Sequence, residues 1–265
     1  MSSDEFTFKI NLKEKPRMRR GVLSVAASLY EPLGFVAPFT LKGKMLLQDL
    51  CRCNLPWDEE MNNDEANRWS RWTNQFQCLG DFKIRRSLVP PDFGEVSSYQ
   101  LHHFADASQT GYGVATYLRT VSKNNQVNST LVMGRARVAL LKRPSIPRMV
   151  LTTAAVAAQL DCKIRSELGL ELCDSVFWSD STSVLKYIRN MSARYHTFVN
   201  NRVNLIRDLS DITAWRYVNT SVNPADLASR GLDVDSLLET SLWLTGPEFL
   251  CQEQDSWPAL PDDVK

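Results

Sequence analysis

Three aspartates in this sequence lie where a folded sheet would bring carboxylates together. Asp106 stands near the end of LHHFADAS (residues 101–108), Asp180 comes just after the apolar run SVFW (175–178), and Asp226 follows an Asn-Pro-Ala segment. Carboxylates that share a small volume repel one another, and divalent cations relieve that repulsion because they prefer oxygen ligands. Two Mg²⁺ ions held roughly 3.5–4 Å apart can support in-line attack of water on a phosphodiester. The three positions therefore predict a metal-dependent hydrolytic site.

Each aspartate also has a local explanation. Asp106 could form an Asx turn that caps a hairpin, and Asp180 and Asp226 could stand at helix N-termini as caps or first-turn acids. Taken singly, these local roles are the commoner ones. Together, the three favour a shared site, because each follows a strand or begins a helix at the same expected edge of one sheet, where open α/β sheets bind their ligands.

Alternating apolar residues predict the elements that carry the aspartates. The predicted strands span 99–106, 111–119, 129–137, 175–178 and 213–218. The predicted helices span 149–168, 182–189, 195–209 and a short segment that begins near residue 223. Three consecutive strands favour antiparallel pairing, and helical crossovers then join the later strands. The pattern predicts an α/β fold with a mixed five-stranded sheet and helices on both faces.

The first 96 residues differ from the strand-rich part in the spacing of their apolar residues, which is mainly helical. Residues 1–20 resemble an arm that contains a short strand and a basic turn, and residues 21–96 carry three helical stretches that predict a small helical region. Pro-Pro at 90–91 indicates a linker. We therefore expect the α/β domain to span 97–232 and residues 233–265 to form a C-terminal linker.

Composition excludes several classes of protein. Of the 265 residues, 43% are hydrophobic and 23% are charged, as in ordinary soluble domains, and no apolar run approaches the roughly 20 residues of a membrane helix. The charged N-terminus lacks the apolar core of a secretory signal. We therefore expect no membrane partner and an intracellular location, cytoplasmic or nuclear. The six cysteines are then expected to be free thiols, and their spacing with the three histidines predicts no zinc site.

A basic segment runs through the middle of the chain. Between Ala107 and Leu160 there is no Asp or Glu, and seven Lys and Arg residues give the span a charge of +7, although the whole chain carries only +1. Such a block indicates a phosphate-binding surface. An equally weighted alternative is a strand edge that basic side chains protect against aggregation. The predicted nucleic-acid contacts are Arg135, Arg137, Lys142, Arg143 and Arg148.

Seven motifs follow one another along the chain: SVAASLYEPLGFVAP, LPWDEE, HHFADAS, RARVALLKRPSIPR, WSDSTSVL, FVNNRV and WRYVNTSVNPADLASRGL. With these motifs, residues 20–250 resemble the Pol polyprotein of BEL/Pao-type LTR retrotransposons. The tail, LWLTGPEFL followed by Trp257-Pro258, is similar to the segment that precedes the integrase in that family. The resemblance implies a ribonuclease H-like domain over residues 97–232 and a reverse transcriptase thumb or connection region over residues 21–96.

The resemblance also implies roles for individual residues. Asp106, Asp180 and Asp226 match three of the four metal-binding acids of ribonuclease H, with Mg²⁺ or Mn²⁺ as the cofactor and an RNA:DNA hybrid, another nucleic acid or other Pol-derived domains as partners. The fourth acid would be a glutamate early in the long helix, where the family typically reads PRLEL and this chain reads PRMVL. Val150 takes that place. The next acid, Asp161, stands eleven residues further on, about 16 Å along the helix axis and out of reach.

Three interpretations follow from this departure. The chain could hydrolyse RNA in hybrids with impaired efficiency, because valine neither binds Mg²⁺ nor orients water. It could keep the fold and bind nucleic acid or protein without cleavage. It could also be a decaying reading frame without a selected function. The sequence contains no Tyr-x-Asp-Asp-like polymerase motif and no Asp-Thr-Gly or Asp-Ser-Gly peptidase motif, so we expect neither DNA synthesis nor aspartic-peptidase activity.

Overall fold

The computed structural model describes residues 4–10, 15–141 and 145–264, and this part of the chain contains seven strands and nine α-helices. The strands are β1 (Glu5–Thr7), β2 (Lys83–Arg85), β3 (Val96–Ala107), β4 (Gly111–Ser122), β5 (Val127–Val138), β6 (Val176–Ser179) and β7 (Trp215–Tyr217). The helices are α1 (Arg19–Ser28), α2 (Ala37–Arg52), α3 (Asn63–Asn74), α4 (Ile146–Leu168), α5 (Thr182–Arg189), α6 (Thr197–Leu209), α7 (Pro224–Arg230), α8 (Val234–Glu239) and α9 (Ser241–Thr245).

A mixed five-stranded sheet, in the order β5-β4-β3-β6-β7, forms the centre of the molecule. β3 pairs antiparallel with β4, and β4 pairs antiparallel with β5, whereas β6 runs parallel to both β3 and β7. β3 is the middle strand because both of its faces are apolar, and its residues from Leu101 to Ala107 are all buried. The α/β fold class predicted from the alternation is confirmed.

Two hydrophobic cores cover the two faces of this sheet. Phe104 and Trp178 face the first core, which includes side chains from α1, α2, α3, α7, α8 and α9. Leu101 and Phe177 face the second core, which α4, α5 and α6 complete. The alternation along each strand therefore places one set of side chains under each helical layer. The helical region that precedes β3 packs on the same sheet, with α2 against β5 and α7.

Two features, the pairing of β1 with β2 and the packing of the C-terminal segment, were not predicted from the sequence. β2 pairs with β1 in a separate two-stranded antiparallel sheet. The segment after α7 folds back onto the sheet, with Trp243 and Leu250 fully buried and Trp257 packed over His102 and Trp178. The six cysteines, all in described positions, are free. No helix within the described ranges is long and apolar enough to cross a membrane.

Candidate active site

Asp106 lies near the end of β3 and is almost completely buried, with 5% of its surface exposed. It pairs in register with Gly113 on β4, and α7 crosses the sheet closely at that point. A Cβ on Gly113 would lie only 2.4 Å from the Cβ of Ala228, so the glycine permits this approach. The approach allows the Ser229 hydroxyl to donate a hydrogen bond to Asp106 Oδ2 at 2.5 Å.

Asp180 follows the last residue of β6, next to Asp106. Ala105 of β3 pairs in parallel register with Ser179 of β6, so each aspartate directly follows one member of a paired position on adjacent strands. Neighbouring strands are about 4.8 Å apart, so this register brings the two aspartates to one sheet edge. The Thr220 hydroxyl donates a hydrogen bond to Asp180 Oδ2 at 2.6 Å.

Asp226 lies in the first turn of α7. The Asn223 side chain caps this helix by accepting a hydrogen bond from the backbone N–H of Ala225, and Pro224 is the first helical residue. The Asp226 side chain is 22% exposed and pairs with Arg230 one turn later, where Arg230 Nε donates to Asp226 Oδ1 at 2.6 Å.

The three carboxylates affect one another electrostatically. Burial, together with the charges of Asp180 and Asp226, raises the pKa of Asp106 to about 6, and the Ser229 hydrogen bond opposes part of this rise. Burial also raises the pKa of Asp180, with an added contribution from the charge of Asp226 and opposition from the Thr220 hydrogen bond. Negative charge is therefore concentrated at this edge of the sheet.

A cleft of about 540 Å³ opens at the same edge. Asp106 and Asp180 line it, and Val150, in the first turns of α4, lies in the same wall. The structure thus brings Val150, at the position predicted for the fourth acid, next to two of the three predicted aspartates. Asp226 does not line the cleft, but its charge raises the pKa values of the other two. The remaining lining residues are Ala107, Ser108, Gln109, Thr110, Ile146, Pro147, Ser181, Thr220 and Arg230.

The chemistry of these side chains suits a divalent cation, because carboxylate oxygens are the ligands that Mg²⁺ prefers. Their arrangement fits less well. Within the described ranges, no group of three or more His, Cys, Asp or Glu side chains is placed so that it could hold a metal ion. Each aspartate instead has its own partner, namely Ser229, Thr220 or Arg230. Val150 contributes a hydrocarbon surface where an oxygen ligand would stand.

Asp161, the next acid along α4, belongs to a different cluster. It accepts a hydrogen bond from His103 Nε2 at 2.9 Å and pairs with Arg165 one turn later. Burial opposes ionisation of Asp161, but the hydrogen bonds of His103 and Ser175 and the charge of Arg165 outweigh burial and lower its pKa. This buried network ties α4 to β3, and Asp161 is absent from the lining of the cleft.

The predicted basic contacts are spread over two elements. Arg135 and Arg137 lie on β5, an edge strand, and Arg137 adds to the positive charge near Lys44 of α2. Arg148 is exposed at the start of α4, 5.4 Å from the ring of Phe198. Lys142 and Arg143 lie outside the described residues. The edge position of β5 is compatible with both phosphate binding and protection of the strand edge.

Three residues that contact the aspartates were not singled out from the sequence: Thr220, Ser229 and Arg230. A signal for two of them was present, because Ser229 and Arg230 stand three and four residues after Asp226 and so share its helical face. Thr220 carries no such signal. It meets Asp180 only because the chain turns back after β7.

Comparison with known protein families gives one match. Residues 18–181, more than half of the chain, match the family described as the Pao retrotransposon-like RNaseH-like domain. The matched region begins before α1 and ends just after Asp180, so it includes the helical region as well as β3 to β6. No curated protein matches this chain.

Comparison with solved structures gives weaker similarities. The N-terminal RNase H domain of Rv2228c from Mycobacterium tuberculosis is 12% identical, with 54% of this chain and 98% of that domain covered and a TM-score of 0.34. RNase H1 from the archaeon Halobacterium salinarum is 14% identical, with 53% and 99% covered and a TM-score of 0.33. A foamy viral protease-reverse transcriptase in complex with dsDNA is 13% identical, with 84% of this chain but 43% of that chain covered and a TM-score of 0.27. Similarity at this level is too low to assign a function.

Proposed function

This chain belongs to the family of Pao retrotransposon-like RNase H-like domains, and on that premise we propose that it is a divalent-metal-dependent nuclease domain for RNA in RNA:DNA hybrids, with cleavage impaired by Val150. The observation that carries the proposal is the cleft at the sheet edge. Two aspartates and Val150 line it, and the charge of a third aspartate reaches it.

The residues of the cleft have defined tasks in such a reaction. The oxygen of a water molecule forms a bond to phosphorus, the bond from phosphorus to the 3′ oxygen breaks, and that oxygen takes up a proton. Asp106, Asp180 and Asp226 would hold Mg²⁺ or Mn²⁺, which when bound supplies charge stabilisation at the phosphate and the leaving oxygen. Ser229 and Thr220 fix the orientation of Asp106 and Asp180. Val150 provides neither charge nor a proton acceptor.

A second candidate is binding of nucleic acid without cleavage. The observation that favours it is again Val150, which is 3% exposed and places hydrocarbon in the wall of the cleft. Three carboxylates can still hold one Mg²⁺ together with water. A second ion on the side of the leaving group would lack a carboxylate there. Under this interpretation hybrids bind to the chain and remain intact.

Cleavage of an RNA:DNA hybrid in Mg²⁺ and Mn²⁺ separates the two functions. We expect little or no cleavage by the wild-type protein and a rise on the order of 100-fold for Val150→Glu, because one charged group at the reacting centre is restored. Val150→Gln, similar in size but neutral, is the matched control and should not restore cleavage. The Mg²⁺-induced rise in Tm should also be larger for the glutamate variant than for the wild type.

Two results would contradict the proposal in different ways. Robust wild-type cleavage that Asp106→Asn abolishes would show that the chain is an active nuclease and tolerates Val150. Intact hybrid with both the wild type and Val150→Glu, together with an unchanged Mg²⁺ effect on Tm, would leave only the binding function.

A further inference from the structure

One face of α7 contributes three polar side chains to the candidate active site. Asp226, Ser229 and Arg230 are spaced at i, i+3 and i+4, so they lie side by side on the helix surface. The Ser229 hydroxyl donates to Asp106 Oδ2 at 2.5 Å, and its oxygen also lies 3.1 Å from the backbone carbonyl oxygen of Asp226. Arg230 donates to Asp226 Oδ1 at 2.6 Å. The close packing of Ala228 on Gly113 holds the helix in this position.

Arg230 is the one cationic side chain among the described residues that line the cleft. Its hydrogen bond to Asp226 and the charge of that residue raise the pKa of the guanidinium, and the charges of Asp106 and Asp180 add to the effect. The guanidinium therefore lies in the field of all three carboxylates. Its side chain is 63% exposed, so it can swing towards solvent without disturbing the core.

We propose that Arg230 is a built-in counter-ion that competes with a divalent cation for Asp226 and so sets the metal affinity of the cleft. The inference rests on the proposed function, because it takes the three aspartates as metal ligands. A metal ion that binds Asp226 through Oδ1 must displace the guanidinium, and one that binds through Oδ2 lies near its positive charge.

The full chain without nucleic acid is suitable for the test, because only metal binding is measured. Mg²⁺ and Mn²⁺ are titrated into the wild type, Arg230→Gln and Arg230→Lys by calorimetry. We expect Arg230→Gln to bind metal about three- to tenfold more tightly, because a nearby positive charge is removed. Arg230→Lys keeps the charge and should bind like the wild type. Lys163→Gln removes one exposed positive charge on α4 and should leave the affinity unchanged.

A second readout is the thermal stability of the variants without and with metal. In EDTA, Arg230→Gln should have a lower Tm than the wild type, because the carboxylates no longer have their counter-ion, and saturating Mg²⁺ should restore the Tm by linkage. This readout also detects a variant that fails to fold. Such a variant would show no restoration, and Arg230→Ala, which removes the same charge, would then replace it in the metal titration.

The outcomes separate this inference from the proposed function. If the wild type binds Mg²⁺, Asp106→Asn abolishes binding, and Arg230→Gln binds with equal or lower affinity than the wild type, the competition is refuted and the metal site stands. If the wild type binds no metal but Arg230→Gln does, the competition is supported, and Arg230 prevents metal binding altogether. If neither binds metal, both proposals fail.

Discussion

At the scale of single residues, Asp106 combines burial with negative charge. A carboxylate that is 5% exposed and close to two other aspartates is costly to ionise, which is why burial and these charges raise its pKa to about 6. The Ser229 hydroxyl offsets only part of this cost, since it supplies one hydrogen bond and no charge. A fold optimised for stability alone would have an amide here. The proposed role of Asp106 as a metal ligand would account for this cost.

The raised pKa leads to a prediction for Asp106→Asn in EDTA. The folded protein binds the proton of Asp106 more tightly than the unfolded chain, so the free energy of unfolding falls as the pH rises from about 4 to about 6, and the full penalty applies above that range. Asparagine stays neutral and can still accept from Ser229. The variant should therefore be about 1–3 kcal/mol more stable than the wild type at pH 7 and of similar stability below pH 4.

Urea unfolding at several pH values measures this difference. Asp92→Asn, at an exposed turn, changes the net charge equally and is the control. A stability difference between Asp106→Asn and the wild type that is constant from pH 3.5 to pH 7 would show that the carboxylate bears no such cost in the folded protein.

The sequence was sufficient to place the three aspartates at the ends or beginnings of elements around one edge of the sheet. Asp106, Asp180 and Asp226 were recognisable because strand ends and helix starts can be read from periodicity and from Asn-Pro signals. Val150 was identified only through a family resemblance. Arg230 and Thr220 were missed, since their importance arises from hydrogen bonds to individual carboxylate atoms. Periodicity predicts the face on which a side chain lies, but not the atom to which it donates.

At the scale of elements, the position of β5 determines what the arginines of the basic segment can contact. It is an edge strand, and it carries Arg135 and Arg137 with their side chains half-buried and exposed, respectively. Burial lowers the pKa of Lys44 on α2, Glu31 opposes this effect, and Arg137 lowers the pKa further. The positive charges of Arg137 on β5 and Lys44 on α2 are therefore close enough to affect each other. Phosphate binding and protection of the strand edge both explain the two arginines.

The two explanations of the β5 arginines differ in their dependence on salt. If they bind phosphates, the double variant Arg135→Ala/Arg137→Ala should bind an RNA:DNA hybrid more weakly, and the slope of log K against log salt should fall by about 1 for each phosphate that is no longer neutralised. Lys83→Ala/Arg85→Ala on exposed positions of β2 removes the same charge and is the matched control. Equal slopes for the two variants, with self-association of the β5 variant, would indicate edge protection instead.

All five strands of the central sheet were located to within a few residues, but the separate sheet of β1 and β2 was not predicted. Long alternations give strong signals, so β3, β4 and β5 were located to within a few residues, as was α4. β2 has only three residues, and its partner β1 lies about 80 positions earlier in the chain. A pairing between such short and distant segments is set by tertiary packing. The close approach of α7 to Gly113 likewise depends on packing that no local pattern reveals.

At the scale of the whole molecule, side chains from before and after residue 97 pack together, although the sequence pattern changes there from helical to strand-like. Trp243, between the sheet and the helical region, shows this most clearly. Its indole N–H donates to the Phe35 carbonyl at 2.6 Å, and the Tyr117 hydroxyl of β4 donates to the Trp243 carbonyl at 2.9 Å. The two regions thus share one core, which the C-terminal segment helps to close. Composition can indicate a change of secondary structure but not whether the two parts are separate domains.

A shared core predicts that the helical region and the sheet unfold together. Trp243→Ala should lower the free energy of unfolding by about 3–5 kcal/mol, because it removes a fully buried indole and leaves the Phe35 carbonyl without its donor. Leu238→Ala, on the neighbouring helix with 42% of the residue exposed, is the control and should change stability by less than about 1 kcal/mol.

Two probes decide whether the destabilisation is shared. Tryptophan fluorescence reports partly on Trp69 and Trp72 of α3, and hydrogen exchange reports on the amides of β3 and β4. If the core is common to both regions, the two probes should give one urea midpoint in the wild type. Trp243→Ala should lower both midpoints to the same value, because unfolding of either region exposes the apolar surface of the other to water. Two separate midpoints, with only one displaced by Trp243→Ala, would show that the helical region and the sheet are independent domains that merely touch. Trp243 would then stabilise only the region whose urea midpoint falls in the variant. The boundary near residue 97 would in that case be a domain boundary.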